Sequence, residues 1–183
     1  MAAIEDIEAY LELWESQFLA SDGEDPAAPS YHRLDLSKIP SLQKYPQLDG
    51  LRIYEVDFED LDMDNIPGPI DVMIILRYEG YDSVRYVPNG VRCAIFQLGA
   101  MYSAPNLPSS VEVAIFDECN FMHTVLELPS TLKALVHIVG AEDFDPTPVE
   151  FRLPEDLQYL ELAGHNNVHF QGEMPEALSV VDL

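Results

Sequence analysis

Three groups of residues in this chain have side chains and spacings that could support chemistry. His165 and His169 lie four residues apart, as metal ligands on one helix would, but the surrounding segment AGHNNVHFQGE predicts a loop. Cys119 and His123 could form a nucleophile and its base, yet Cys119 occupies a position at which a buried, unreactive thiol is expected. The third group, an acidic run after Tyr54, lacks the central glycine and spaced glutamate of a calcium loop. None of the three groups predicts a catalytic or metal site.

Known catalytic motifs are also missing from the sequence. There is no phosphate-binding G-x-x-x-x-G-K-S/T loop, no G-x-G-x-x-G fingerprint, no G-x-S-x-G elbow and no H-E-x-x-H pair. Carboxylates are plentiful, but their spacing places none of them in an acid–base pair. We therefore expect a protein that is not an enzyme and that uses no cofactor and no metal.

Regularly spaced prolines indicate the elements that organise the chain. They recur at steps of 21, 21, 20, 21, 25 and 21 residues: Pro46, Pro67, Pro88, Pro108, Pro129, Pro154 and Pro175. Apolar residues then fall at the third, sixth and eighth positions after the proline: Ile70, Met73, Ile75; Val91, Ala94, Phe96; Val111, Ala114, Phe116; Leu157, Leu160, Leu162; and Leu178, Val181, Leu183. Because alternate residues of a strand share one face, each copy predicts a short strand. A 20–25-residue period predicts a solenoid, here of about seven coils with extended, polyproline-like or 3₁₀ segments on the return path.

Two copies depart from this pattern. The first is offset, because its apolar residues fall one position early: Leu48, Leu51 and Ile53. In the fifth copy, His137 takes the last apolar position. Either His137 is buried with a partner group, or the strand slips by one residue, which exchanges its two faces. The slip would turn a different set inward: Ala134, Val136 and Ile138.

The repeated phrase resembles the leucine-rich repeat, whose pattern is L-x-x-L-x-L-x-x-N/C-x-L. The clearest copies are LPSSVEVAIFDECNF, LPSTLKALVHIVGA and LPEDLQYLELAGHNN, and the resemblance covers roughly residues 40–183. The leading Leu-Pro is similar to short repeats of bacterial effectors and to Phe-Asn-Ile-Pro repeats. The resemblance implies an α/β solenoid with a curved parallel sheet. The asparagine that closes such a coil is mostly absent, since its position holds Tyr78, Gly99, Cys119, Gly140 and His165.

An amphipathic helix is predicted over residues 3–19, because one face carries the apolar residues Ile4, Ile7, Leu11, Trp14 and Phe18. Residues 20–30 have the composition of a linker. The sequence thus divides into a helical cap and linker, 1–30, and a leucine-rich-repeat-like solenoid, 31–183. The helix is expected to cover the N-terminal end of the solenoid core. Docking of a partner is the alternative.

The solvent-facing strand positions of such a solenoid form its concave face, which the resemblance implies as the binding surface. We expect its partner-binding residues to be Val72, Ile74, Leu76, Ile95, Gln97, Ile115, Asp117, Val136, Ile138, Tyr159 and Glu161. The middle of this face is apolar, and strands that are apolar on both sides are usually buried on both. Residues 1–45, a second copy of the chain or another protein could cover it.

The charge of the chain is extreme, with 33 acidic and 9 basic residues and a net charge of −24. This balance argues against direct binding of nucleic acid or of an anionic membrane and favours a basic protein partner. Solubility or adaptation to high salt is the alternative explanation. An acidic rim is predicted at one edge of the solenoid, formed by Glu55, Asp57, Glu59, Asp60, Asp62 and Asp64.

The ends of the chain suggest two further expectations. The N-terminus lacks the features of a signal peptide and no apolar run is long enough for a membrane span, so we expect a cytoplasmic protein. Delivery to a host by another route stays open. The sequence stops at Leu183 on an apolar repeat position, so either the chain is truncated or its last strand is an open edge that a dimer would protect.

Together these features predict a non-catalytic protein that binds a basic protein partner and masks or inhibits it, as an immunity-type protein would. A secreted effector that binds a host protein is one alternative. A self-associating structural or scaffold module is the other, with a homodimer formed through the concave face or the C-terminal edge strand.

Overall fold

The computed structural model describes residues 4–20, 30–57, 61–77, 87–101, 105–121, 125–140, 149–165, 168–178 and 180–182. Within these ranges the chain forms a parallel-sheet β-solenoid with one N-terminal helix, α1 (Ile4–Ala20). The strands are β1 (Ser30–Arg33), β2 (Arg52–Asp57), β3 (Val72–Leu76), β4 (Cys93–Met101), β5 (Val113–Phe121), β6 (Val125–Glu127), β7 (Ala134–Ile138), β8 (Val149–Arg152), β9 (Tyr159–Ala163), β10 (Val168–Phe170) and β11 (Val180–Asp182). Short 3₁₀ helices span Leu36–Lys38, Pro40–Lys44, Pro46–Leu48 and Met63–Asn65.

The main sheet contains eight strands in the order β1-β2-β3-β4-β5-β7-β9-β11. All neighbours are parallel except β1, which pairs antiparallel with β2. The regular proline spacing has a structural counterpart, because from Pro88 onwards the carbonyl of each of the five repeat prolines accepts a hydrogen bond from the amide three residues later, at 3.0–3.3 Å. These prolines are Pro88, Pro108, Pro129, Pro154 and Pro175. Each therefore begins a tight turn that leads the chain into the next strand.

The apolar residues that recur after each proline form the solenoid core, as predicted. The third, sixth and eighth residues after Pro67, Pro88, Pro108 and Pro154 are all buried in one cluster. Phe96 and Phe116 stack within it, with ring centroids 5.2 Å apart. The inward-facing pattern is confirmed for these four copies, because parallel in-register pairing stacks equivalent positions directly on one another.

The alignment of the first copy was wrong. Ile53 pairs with Val72, a fifth-position residue, so Ile53 lies on the concave face. The residues that enter the solenoid core are instead Tyr54 and Val56. The cause is the 3₁₀ helix that begins at Pro46, since it makes the path from proline to strand two residues longer than in the next copy.

His137 is buried without any slip of its strand. It pairs with Phe116 on one side and Leu162 on the other, both of which are core positions. Its side chain is 0% exposed, and its Nε2 lies 2.8 Å from the carbonyl oxygen of Cys119. The first of the two alternatives for the fifth copy is therefore the one observed.

The return path contains a second parallel sheet that was not predicted as such, in the order β10-β8-β6. Phe151 of β8 and Leu126 of β6 are fully buried against the solenoid core. The core of the C-terminal part is thus enclosed between two sheets. A 3₁₀ helix, Met63–Asn65, lies on the path between β2 and β3, as expected for such connections.

No helix in the part of the chain that the structure describes is long and apolar enough to cross a membrane.

Candidate protein-binding face

The concave face is covered by the chain's own N-terminal segment. Buried residues of α1, chiefly Tyr10, Leu13 and Trp14, form one cluster with the middle of this face. The cluster also includes Leu34, Leu42 and Leu48 from the segment between α1 and β2. Among the helix residues whose burial the structure describes, 6–16, the buried ones all belong to this cluster and none to the solenoid core, so this part of α1 lies over the concave face and not, as expected, over the N-terminal end of the core.

Polar contacts hold the helix in place at its margins. Lys44 and Glu12 form an ion pair at 2.5 Å between α1 and the 3₁₀ helix Pro40–Lys44. The Tyr10 ring lies beneath the Arg92 guanidinium, 5.9 Å from ring centroid to Cζ, and burial raises the pKa of the Tyr10 hydroxyl. A neutral tyrosine side chain therefore contacts the face.

The predicted partner-binding residues fall into two groups. Those beneath the helix cluster are nearly fully buried: Val72, Ile74, Ile95, Ile115 and Val136. Those towards the carboxyl ends of the strands or towards β9 are partly exposed: Leu76, Gln97, Ile138, Tyr159 and Glu161. Asp117 lies between the two groups at 8% exposure. A partner therefore has access only to the second group while α1 stays in place.

Asp117 is the polar group at the boundary of the covered region. Burial raises the pKa of its carboxyl, and the neighbouring Glu118 raises it further. Hydrogen bonds from Gln97 and Trp14 act in the opposite direction. The carboxyl is thus held by side chains from both the sheet and the helix, which marks where the helix cover ends.

The part of the concave face formed by Ile138, Tyr159, Glu161 and Ala163 will be called the uncovered end. All four side chains are partly exposed, although Ile138 and Tyr159 also pack against the edge of the helix cluster. The Tyr159 hydroxyl donates a hydrogen bond of 2.7 Å to Glu161 Oε2, two residues further along β9. This pair presents an aromatic ring and a carboxylate side by side on the sheet surface.

The acidic run does not form one continuous rim. The alternation of β2 turns Glu55 and Asp57 towards the concave face, where Asp57 is fully buried and paired with Arg77. Burial raises the pKa of Glu55, and the charge of His32 opposes that shift. Asp62 instead caps the 3₁₀ helix by accepting the Asp64 amide at 3.0 Å. Two members of the predicted rim, Glu59 and Asp60, lie outside the described residues.

A charge ladder at the amino ends of the strands was missed by the sequence reasoning. Residues of alternating sign lie at the amino ends of five consecutive strands of the main sheet: Arg52 is the first residue of β2, and the residues immediately before β3, β4, β5 and β7 are Asp71, Arg92, Glu112 and Lys133. Arg52 binds Asp71 through two side-chain contacts of 2.6 Å, and Arg92 binds Glu112 at 2.8 Å. The sequence did contain the pattern of this ladder, because four of its five residues stand at the fourth position after a repeat proline. The ladder places opposite charges on adjacent strands and so favours this register.

Most of the groups considered for chemistry lie within the described residues. In the described ranges, no three His, Cys, Asp or Glu side chains could together hold a metal ion. His169 lies on β10, so the loop predicted for its segment was wrong at that position. Cys119 is buried, with its Sγ 3.4 Å from two backbone carbonyl oxygens. His123, its imagined base, lies outside the described residues.

Comparison of this chain with models of protein families, with curated proteins and with solved structures finds no match.

Proposed function

We propose that this protein is a non-catalytic, leucine-rich-repeat-like solenoid that binds a basic protein and masks or inhibits it. The observation that carries the proposal is the distribution of charge. The chain has a net charge of −24, and within the described residues five of its nine cations form ion pairs with its own carboxylates. More than half of the positive charges are therefore engaged internally, while the surplus carboxylates are available to attract a basic surface.

The uncovered end is the best location for the contact. Tyrosine is enriched at protein interfaces, because its ring gives a large apolar contact and its hydroxyl a polar one. Glu161 already accepts a hydrogen bond from Tyr159 and has lone pairs left for a lysine or arginine of the partner. A bidentate arginine–carboxylate contact would be among the stronger polar contacts available.

The test begins with recovery of partners from the native cell by pull-down and mass spectrometry. The affinity of the recovered protein is then measured for the wild type, for Glu161→Gln and for Glu176→Gln. The control residue, Glu176, is an exposed carboxylate in the turn before β11. We expect Glu161→Gln to weaken binding about 10-fold or more, and the control by less than about 2-fold.

Two outcomes would count against the proposal. One is an acidic or neutral partner whose affinity neither glutamate changes. The other is recovery of the same chain alone together with a salt-insensitive dimer in light scattering, which would favour the self-associating module.

A further inference from the structure

The cover that α1 provides over the concave face ends between two neighbouring strands. On β7, the concave residues Ala134 and Val136 are buried, and only Ile138 is partly exposed. Ile138 still packs against the edge of the helix cluster. On β9, all three concave residues are partly exposed: Tyr159, Glu161 and Ala163. The uncovered end is therefore a direct continuation of the surface on which α1 packs.

The strands that carry this surface provide the width of one helix. β9 pairs parallel with β7 on one side and with β11 on the other. Neighbouring strands lie about 4.8 Å apart, so the three backbones span about 10 Å. An α-helix with its side chains is about 10–12 Å in diameter. One further helix can therefore lie on this face beside α1.

The face of a sheet offers side chains, and not backbone groups, to a partner. The N–H and C=O groups of β7 and β9 are directed along the sheet into the ladders with the adjacent strands. An extended segment laid across this face would therefore leave its own backbone groups without sheet partners, whereas a helix pairs them internally. The chain uses the same solution, since the buried side chains of α1 pack on the neighbouring strands.

The exposed side chains define what such a helix must carry. Ile138 and Ala163 are register partners on β7 and β9, and together they present a small apolar surface. On the same face, the Tyr159 hydroxyl donates its 2.7 Å hydrogen bond to Glu161. An arginine of the partner could bind this carboxylate through charge-assisted hydrogen bonds and pack along the tyrosine ring.

An arginine–tyrosine contact of this kind already occurs where α1 meets the sheet. The Arg92 guanidinium lies over the Tyr10 ring, with Cζ 5.9 Å from the ring centroid. There the helix supplies the tyrosine and the sheet supplies the arginine. At the uncovered end the sheet supplies the tyrosine, so the complementary residue of a docked helix is a basic one.

We propose, as an inference that rests on the proposed masking function, that the uncovered end docks a basic amphipathic α-helix of the partner protein. The helix lies beside α1 and leaves α1 in place. Its apolar stripe contacts Ile138 and Ala163, and an arginine or lysine beside that stripe contacts Glu161. The net charge of −24 favours the same ligand, so shape and charge select it together.

Two synthetic peptides of 17 residues, the length of α1, test the form of the ligand. Both contain the same numbers of leucine, alanine and arginine residues, but only one peptide arranges leucine and alanine on a single helical face. We expect the wild-type protein to bind this peptide about 10-fold or more tightly than the scrambled one in fluorescence anisotropy, because helix-in-groove recognition needs a continuous apolar stripe.

Methyl NMR of the isoleucine side chains locates the contact. The Ile138 signal should move as the amphipathic peptide is added, while the signals of Ile74 and Ile115, which are buried beneath α1, should stay. Ala163→Arg should weaken binding about 10-fold or more, because it adds a bulky cation to the docking surface. Ser130→Arg adds the same charge in the exposed turn before β7 and should change the affinity by less than about 2-fold.

Three results would overturn the proposal. Equal affinities of the two peptides would show that charge alone suffices, and the masking function would then stand without a helical ligand. Movement of the Ile74 and Ile115 signals together with that of Ile138 would show that the peptide displaces α1. Binding of neither peptide, or equal affinities of Ala163→Arg and the wild type, would remove the docking site, whereas the masking function itself is decided by the salt dependence of binding to the recovered partner.

Discussion

Replacement of Leu13 by alanine tests whether α1 truly covers the concave face. Leu13 is 0% exposed and belongs to the cluster that joins the helix to the sheet. Its truncation leaves a cavity between two elements that are both fixed by other contacts, so relaxation can fill it only in part. Substitutions of this kind lower the free energy of unfolding by 2–5 kcal/mol, and we expect about 3 kcal/mol here.

Leu11 supplies a matched control, since it lies on the same helix, carries the same side chain and is only partly buried. We expect Leu11→Ala to lower the free energy of unfolding by about 1 kcal/mol, because less apolar area is lost. Both variants are measured by urea unfolding, followed by the emission of Trp14, the only tryptophan in the chain and a buried member of the same cluster. Equal losses in the two variants, or a loss below about 0.5 kcal/mol for Leu13→Ala, would refute the packing of the helix on this face.

Two further predictions concern positions at which the structure allows little change. Gly164 has a φ of +78°, and a Cβ there would lie 2.9 Å from the Val139 carbonyl oxygen, whereas Gly50 has a φ of +72° and open space around it. Gly50→Ala should lower the free energy of unfolding by about 1 kcal/mol, and Gly164→Ala should lower it by about 1–3 kcal/mol more. Thermal or urea unfolding of both variants would measure this difference, and equal losses would contradict the close approach at Gly164. Cys93 and Cys119 are both fully buried, and burial raises the pKa of the Cys93 thiol, so neither should react with a thiol reagent at pH 8 until denaturant is added. Fast reaction of either thiol in the native protein would be inconsistent with its position.

The parts of the fold that depend on periodicity were predictable. Alternation within each short strand identified core residues such as Met73 and Phe96, because parallel stacking repeats the same two faces from copy to copy. The first copy was misaligned because Pro46 begins a 3₁₀ helix, and the residue pattern does not record how many residues such a helix takes before the strand. The strands of the second sheet span only three or four residues, too few to show a period.

The candidate site was predictable only in part. The apolar concave face required a cover, but the pattern left open whether residues 1–45, a second copy or another protein supplies it; the structure places α1 there. Because that contact is between segments far apart in sequence, no local signal could decide it. The burial of Asp57 could not be predicted from the local sequence either, because its partner Arg77 lies twenty residues away.

The salt dependence of partner binding tests the central claim most directly. The recovered partner is titrated with the wild-type protein by calorimetry between 50 and 500 mM NaCl at pH 7.5. If a net charge of −24 drives association with a basic protein, Kd should rise by about 10-fold or more over this range, because screening shortens the reach of surface charges. A Kd that changes by less than about 2-fold, or that falls as salt is added, would contradict the account.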